Sequence, residues 1–173
     1  MISTDEIIVF LNPGEYFVGD ARHRIRTLLG SCVSITLWHP ERRVGAMSHF
    51  LLSERSSKVI GPPDARYGKE ALSLMLTDLA RHGIDPGDCR AKIFGGSDMF
   101  PQHTSRANAA RVGRRNGEAA RSLLEAQGIR ASSESLFGVG HRKIMFDVNS
   151  GHVWARQVKP VDALLNHKEG TRK

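Results

Sequence analysis

Two neighbouring stretches in the first third of the chain have the apolar patterns of β-strands. In the stretch Cys32–Trp38, CVSITLW, apolar residues alternate with serine and threonine, which predicts a half-buried β-strand. The segment His39–Arg43 contains a proline and three charged residues and predicts a turn. Val44–Leu52 is again rich in apolar residues and predicts the returning strand. The pattern therefore favours a β-hairpin across residues 32–52.

Other short apolar runs predict further strands. They cover Ile7–Leu11, Glu15–Val18, Ile25–Leu29, Ala91–Phe94 and a final hairpin of Arg142–Val148 with His152–Val158. Strand candidates also follow the Gly-Ile pairs at 83–84 and 128–129. The segment Ser53–Pro63 is polar and ends in two prolines, so it predicts a surface loop.

Two segments have the periodicity of helices. Asp64–His82 places its apolar residues at helical spacing and is followed by Gly83, a typical helix stop. The second helix is predicted over Asn108–Gln127, where Gly113 and Gly117 each cost about 1 kcal/mol relative to alanine. We expect close packing at these glycines to compensate. Many strands and two helices predict an α+β fold, with mostly antiparallel, sandwich-like sheets and both helices packed on one side.

The length and composition fit one ordinary domain. The chain has 173 residues, of which 40% are hydrophobic and 25% charged, as in a globular protein that folds without disulfides or metals. We predict a single domain over residues 1–160 and a basic, flexible tail over 161–173. The first residues do not resemble a signal peptide, and no apolar run is long enough to span a membrane. We therefore expect a cytoplasmic protein with reduced cysteines and no membrane insertion.

The chain is basic, with a net charge of +7. Such a charge permits acidic partners, including nucleic acid. The basic residues are scattered, however, and no aromatic stacking motif or zinc-finger spacing accompanies them. A solvated basic surface is the better interpretation, and we expect no nucleic-acid binding.

The predicted hairpin brings a thiol and an imidazole into reach of each other. If Trp38 pairs with Arg43, Cys32 lies opposite His49, and the two side chains share one face. If Trp38 pairs with Val44 instead, Cys32 lies opposite the next residue. A cysteine beside a histidine is the minimum arrangement for a cysteine nucleophile. The alternative is a small buried thiol and a packed histidine, each with a purely structural role.

The residues before Cys32 add to the chemical argument. Gly30 and Ser31 form a predicted corner, so backbone N–H groups there are not committed to a ladder and could form an oxyanion hole. Cys89 has no histidine close in sequence and is predicted to be structural. No CxxC motif or zinc-ligand spacing is present, so we expect no structural zinc site.

Several motifs in the chain resemble those of one known family. They are TLLGSCV at 27–33, GAMSH at 45–49, PGEY at 13–16, AKIFGGSDMF at 91–100, GRRN at 113–116 and GHRKI at 140–144. In this order they resemble the CheD family of bacterial chemoreceptor glutamine deamidases, over about residues 8–158. Two positions depart from the family pattern. Arg26 stands where family members often have threonine, with Thr27 one residue later, and Phe137-Gly138 replaces a pair of glycines.

The resemblance implies a function and a set of site residues. Cys32 would be the nucleophile, His49 its base and Thr27 the residue that orients the imidazole, with Gly30 and Ser31 at the oxyanion or substrate side. The substrate would be a glutamine on the cytoplasmic helices of a chemoreceptor, and no cofactor would be needed. A CheC-type phosphatase would be a further partner.

Two other functions compete with this interpretation. The same fold could be a non-catalytic regulatory module that binds a chemoreceptor or a CheC-type phosphatase. The pair Gly95-Gly96 could belong to a phosphate-binding loop, but the GK[ST] of a P-loop is missing, so a tight turn near the site is the better interpretation.

Overall fold

The computed structural model describes residues 5–99 and 106–159, with side chains described outside 106–110. The strands are β1 (Ile7–Phe10), β2 (Tyr16–Gly19), β3 (His23–Leu29), β4 (Val33–His39), β5 (Val44–Ser48), β6 (Arg90–Gly95), β7 (Ala131–Leu136), β8 (His141–Asp147) and β9 (Val153–Val158). The helices are α1 (Gly68–Arg81) and α2 (Arg106–Ala126), with a short 3₁₀ turn at Pro86–Asp88. The predicted tail, 161–173, lies outside the described residues.

The strands form two sheets. One has four strands in the order β1-β3-β8-β9, and the other has five in the order β2-β5-β4-β6-β7. Most neighbours are antiparallel, but β1 runs parallel to β3, and β6 runs parallel to β7. The α+β prediction with mostly antiparallel sheets is confirmed.

Side chains of the central strand β4 point alternately to the two faces of its sheet. This alternation explains why the protein has three layers, namely the helices, the five-stranded sheet and the four-stranded sheet. Val33, Ile35 and Leu37 pack in a core cluster with apolar residues of both helices. A second cluster, which includes Met47 and Phe146, fills the space between the two sheets. The helices therefore cover one face of the five-stranded sheet, and the four-stranded sheet covers the other.

The predicted hairpin register is wrong. Trp38 pairs with Gly45 rather than with Arg43 or Val44, because the turn spans four residues and closes with Arg43 in a left-handed conformation (φ 48°). Regular pairing of β4 with β5 then ends at Thr36 and Met47, and the side-chain oxygen of the next residue, Ser48, accepts the hydrogen bond of the Ile35 N–H at 3.2 Å. The predicted strand over Val44–Leu52 is therefore shorter in the structure.

The first helix begins later than the sequence predicts. Asp64 Oδ1 accepts a hydrogen bond from the Arg66 N–H at 2.9 Å, which holds a turn there, and the helix starts at Gly68. The close packing expected at the two glycines of α2 is confirmed. A Cβ on Gly113 would lie 2.7 Å from the carbonyl oxygen of Gly96, and one on Gly117 would lie 2.6 Å from the ring of Phe137.

Candidate active site

The corner between β3 and β4, Gly30–Cys32, is held by the loop that follows β6. The Ser97 N–H donates to the Gly30 carbonyl and the Gly96 N–H donates to the Cys32 carbonyl, each at 2.9 Å. Only glycine fits at position 95, where φ is +115° and a Cβ would lie 2.2 Å from the Cys32 carbonyl oxygen. The glycine-rich motif therefore shapes the backbone around the thiol.

Asn116 on α2 completes the support of this corner. Its side-chain Nδ2 donates to the carbonyl oxygens of Ser31 (3.0 Å) and Leu51 (2.7 Å), and the residue is only 1% exposed. One buried amide thus joins the segment that carries Cys32 to the segment that follows His49. Sequence reasoning noted GRRN only as part of a family motif and did not predict this contact.

These carbonyl contacts leave the N–H groups of the corner available. Within 5–99 and 106–159, no carbonyl oxygen accepts a hydrogen bond from the backbone N–H of Ser31 or Cys32. The Cys32 N–H interacts with its own thiol and lowers the thiol pKa, although burial outweighs this and raises the pKa overall. The thiol therefore lies beside backbone N–H groups that no carbonyl oxygen of the described residues occupies.

The imidazole of His49 is held from one side by Thr27. The Thr27 Oγ1 lies 2.7 Å from His49 Nδ1 and donates its proton to the Leu11 carbonyl oxygen, also at 2.7 Å. Because a hydroxyl has one proton, Thr27 must accept the hydrogen bond from Nδ1–H. The tautomer that results has its lone pair on Nε2.

The backbone of His49 is positioned by the PGEY segment. The His49 N–H donates to the Glu15 carbonyl at 2.9 Å, and the Gly14 N–H donates to the His49 carbonyl at 2.8 Å. The Nε2 atom of His49 is buried and has no hydrogen-bond partner among the described residues. The free lone pair makes it a candidate base for an incoming proton.

Burial keeps both reactive groups neutral in this conformation. It lowers the pKa of His49 to about 4, against smaller opposing effects of the Leu11 carbonyl and Glu15. Burial also raises the pKa of the half-buried Cys32 thiol. Since Nε2 has no partner, Cys32 and His49 do not form a hydrogen bond here.

All three candidate residues lie toward the layer between the two sheets. Cys32 packs against the cluster of this layer. Thr27 lies two positions from both Ile25 and Leu29 along β3, and these two residues belong to the same cluster, so all three side chains share one face. Thr27 and His49 are almost fully buried, at 3% and 2% exposure, so the thiol is the most accessible of the three groups.

Arg142, in the GHRKI motif, binds the glycine-rich loop beside this site. Its buried guanidinium donates to the carbonyl oxygens of Gly95 and Phe137, each at 2.9 Å. Phe137 has a positive φ of 68°, at the position where the sequence departs from the family's glycine pair. Motifs that are distant in sequence therefore support the corner that carries Cys32, and the PGEY segment supports His49.

Cys89 lies apart from this site. It is buried in the core cluster under the helices, and its thiol contacts the Asp85 carbonyl at 3.8 Å. Burial, together with Asp88 and Asp85, raises its pKa to about 11, so the thiol stays protonated. In the described part of the chain, no group of three or more His, Cys, Asp or Glu side chains could hold a metal ion.

Fold and site together define an α+β domain with a half-buried cysteine and a threonine-bound histidine between two sheets. The chain belongs to the CheD family. The model of that family, described as CheD chemotactic sensory transduction, matches residues 51–157. This match begins after the three candidate residues, which lie in the region covered by the full-length relatives.

Curated relatives match nearly the whole chain. A protein of Albidiferax ferrireducens named "Probable chemoreceptor glutamine deamidase CheD 2" is 61% identical over 156 residues, covering 90% of each chain. The "Probable chemoreceptor glutamine deamidase CheD 3" of Dechloromonas aromatica is 44% identical and covers 94% of each chain. A Pseudomonas savastanoi relative, "Probable chemoreceptor glutamine deamidase CheD", is 39% identical and covers 90% of this chain and 87% of its own. No helix in the described ranges is long and apolar enough to cross a membrane.

Proposed function

We propose that this chain is a chemoreceptor glutamine deamidase, which converts glutamine side chains of receptor cytoplasmic helices to glutamate with release of ammonia. The family and the names of its relatives support this activity. The observation that carries the assignment to residues is the buried, unpartnered Nε2 of His49, held in one tautomer by Thr27. We expect the reaction to take place in the cytoplasm, without a cofactor and without nucleic acid.

The first step forms a thiolate from a neutral pair. His49 Nε2 takes the proton of the Cys32 thiol as the sulfur attacks the carboxamide carbon of the substrate. Burial disfavours either charge alone, but the thiolate and imidazolium appear together and stabilise each other. Substrate binding excludes water from the site and brings the two groups together.

The tetrahedral intermediate then loses ammonia. The negative charge that develops on the substrate oxygen is stabilised by the backbone N–H groups of Ser31 and Cys32, with Gly30 shaping the corner. The imidazolium of His49 gives its proton to the departing nitrogen, and the carbonyl re-forms as a thioester on Cys32. Ammonia leaves the site.

Water completes the cycle. His49 Nε2 takes a proton from a water molecule, whose oxygen attacks the thioester carbon. The carbon–sulfur bond breaks, the thiolate of Cys32 regains a proton from His49, and glutamate is released. Each turnover therefore adds one negative charge to the receptor helix.

The direct test follows a receptor cytoplasmic fragment incubated with wild-type protein or with Cys32→Ala. Ammonia release and the mass of the tryptic peptides identify each converted glutamine. We expect Cys32→Ala to lower the rate by at least about 10³-fold, because the covalent route is lost. Cys89→Ala is the matched control and should retain the wild-type rate. Equal rates for the two variants would refute the assignment of the nucleophile.

The same experiment distinguishes the regulatory alternative. A non-catalytic module would bind the receptor fragment equally well as wild type, Cys32→Ala or Cys89→Ala, and none of these proteins would release ammonia. A CheC-type phosphatase is the further partner we propose, and its effect would appear as a change in the wild-type deamidation rate.

A further inference from the structure

The outer face of the four-stranded sheet exposes large apolar side chains. Phe10 is 57% exposed and Trp154 is 49% exposed, and Ile8 and Leu28 are exposed beside them. These residues line a groove of about 720 Å³. Both helices pack on the five-stranded sheet, so no described helix covers this groove.

Strand register arranges the groove as two adjacent rows across the sheet. In the first row Phe10 pairs with Arg26, which pairs with Met145, which pairs with Trp154. In the second row Leu28 pairs with Lys143, which pairs with Arg156. The first row is mainly apolar and the second mainly cationic. We call this surface the basic sheet groove.

Among the residues that the structure describes, no carboxylate neutralises the cations of the basic sheet groove. No carboxylate of residues 5–99 or 106–159 lies within ion-pair distance of Arg26, Lys143 or Arg156. Lys143 and Arg156 stand directly opposite each other on neighbouring strands, an arrangement that destabilises a sheet. An anionic group placed between them would remove this repulsion.

We infer that the basic sheet groove docks an acidic amphipathic helix of a partner protein, whose apolar face covers the first row and whose carboxylates meet the second. Four strands span about 14 Å, which nine or ten helical residues match. A helix of about 10 Å diameter also suits a concave groove, which a flat membrane surface does not enter. This surface is distinct from the Cys32 site, so the inference does not depend on the proposed activity.

Charge disfavours two other occupants. Residues 160–173 of this chain carry three Lys or Arg against two Asp or Glu, so this segment is itself basic. A second copy of the chain would bring another +7 and an identical set of cations. Like charges repel in both cases, whereas an acidic helix is complementary.

The probe is a labelled synthetic helix with leucines at helical spacing and flanking glutamates, together with a version in which every glutamate is glutamine. Binding is measured by fluorescence anisotropy with the full chain. We expect saturable binding of the glutamate helix, and a Kd at least about tenfold weaker for Lys143→Glu/Arg156→Glu and for Trp154→Ala. Lys58→Glu/Lys69→Glu, with the same change in net charge at exposed positions elsewhere, should bind within about threefold of wild type.

The inference is overturned if the glutamate helix does not bind, if the glutamine helix binds equally well, or if both double variants lose the same affinity. Vesicles of phosphatidylcholine and phosphatidylglycerol form the second arm. Vesicle binding that requires Lys143 and Arg156, without helix binding, would assign the surface to a membrane instead. Deamidation is not measured, so a failure here leaves the proposed function unaffected.

Discussion

Thr27 Oγ1 and His49 Nδ1 lie 2.7 Å apart, and the Thr27 proton is already donated to the Leu11 carbonyl. The hydroxyl can therefore only accept from the imidazole, which leaves Nε2 as the basic nitrogen. Thr27 thus selects the tautomer that the proposed reaction needs, although it touches no reacting atom.

Thr27→Val should lower kcat by about 10²-fold, because the imidazole loses the contact that sets its tautomer and orientation. Thr27→Ser keeps the hydroxyl and should stay within about tenfold of wild type. Steady-state deamidation of a receptor fragment gives kcat and KM for both variants. Equal rates for the valine and serine variants would mean that another group orients His49.

The pKa of His49 predicts how stability changes with pH. The folded pKa is about 4, below the ordinary histidine pKa of 6.5, so between these pH values the unfolded chain binds the proton and the folded chain does not. Stability should therefore fall as pH decreases from 6.5 to 4, by about 3 kcal/mol from this residue. Urea unfolding of wild type and His49→Gln at several pH values isolates this contribution. Parallel pH dependences for the two proteins would contradict the prediction.

Labelling by iodoacetamide should follow the raised pKa of Cys32. Since the thiolate is the reactive form, the free protein should react slowly at pH 6 and progressively faster at alkaline pH. Cys89, with a pKa of about 11 and a buried thiol, should react later still. Mass spectrometry of Cys32→Ala and Cys89→Ala separates the two sites. Rapid labelling of Cys32 at pH 6 would show a preformed thiolate instead of a neutral thiol.

Asn116→Leu should weaken both the fold and the site. Loss of the Asn116 amide leaves the carbonyl oxygens of Ser31 and Leu51 without a donor. This lowers the free energy of unfolding by about 1–3 kcal/mol for each buried group. If Asn116 positions the corner, kcat should fall with little change in KM at temperatures where the variant is folded. Asn116→Gln retains the amide and tests for partial rescue. A purely structural role would lower Tm without changing kcat.

The fold was predictable where the pattern is local. Alternation in β4 and helical spacing in α1 and α2 follow from which side chains face the core, and these elements lie close to their predicted positions. The hairpin register was not predictable, because it depends on a left-handed residue at Arg43 and on the side chain of Ser48 in the ladder. Both are decided by the surrounding backbone and not by apolar periodicity.

By itself the sequence determined the element types, the family and the identity of the three candidate residues. Only the tertiary structure decided that Thr27 and His49 touch. Thr27 and His49 are 22 residues apart and touch because β3 lies across the sandwich from the segment after β5. Asn116 reaches Ser31 from 85 residues away. Such contacts depend on how sheets and helices pack, and a local pattern of hydrophobic and polar residues carries no information about that packing.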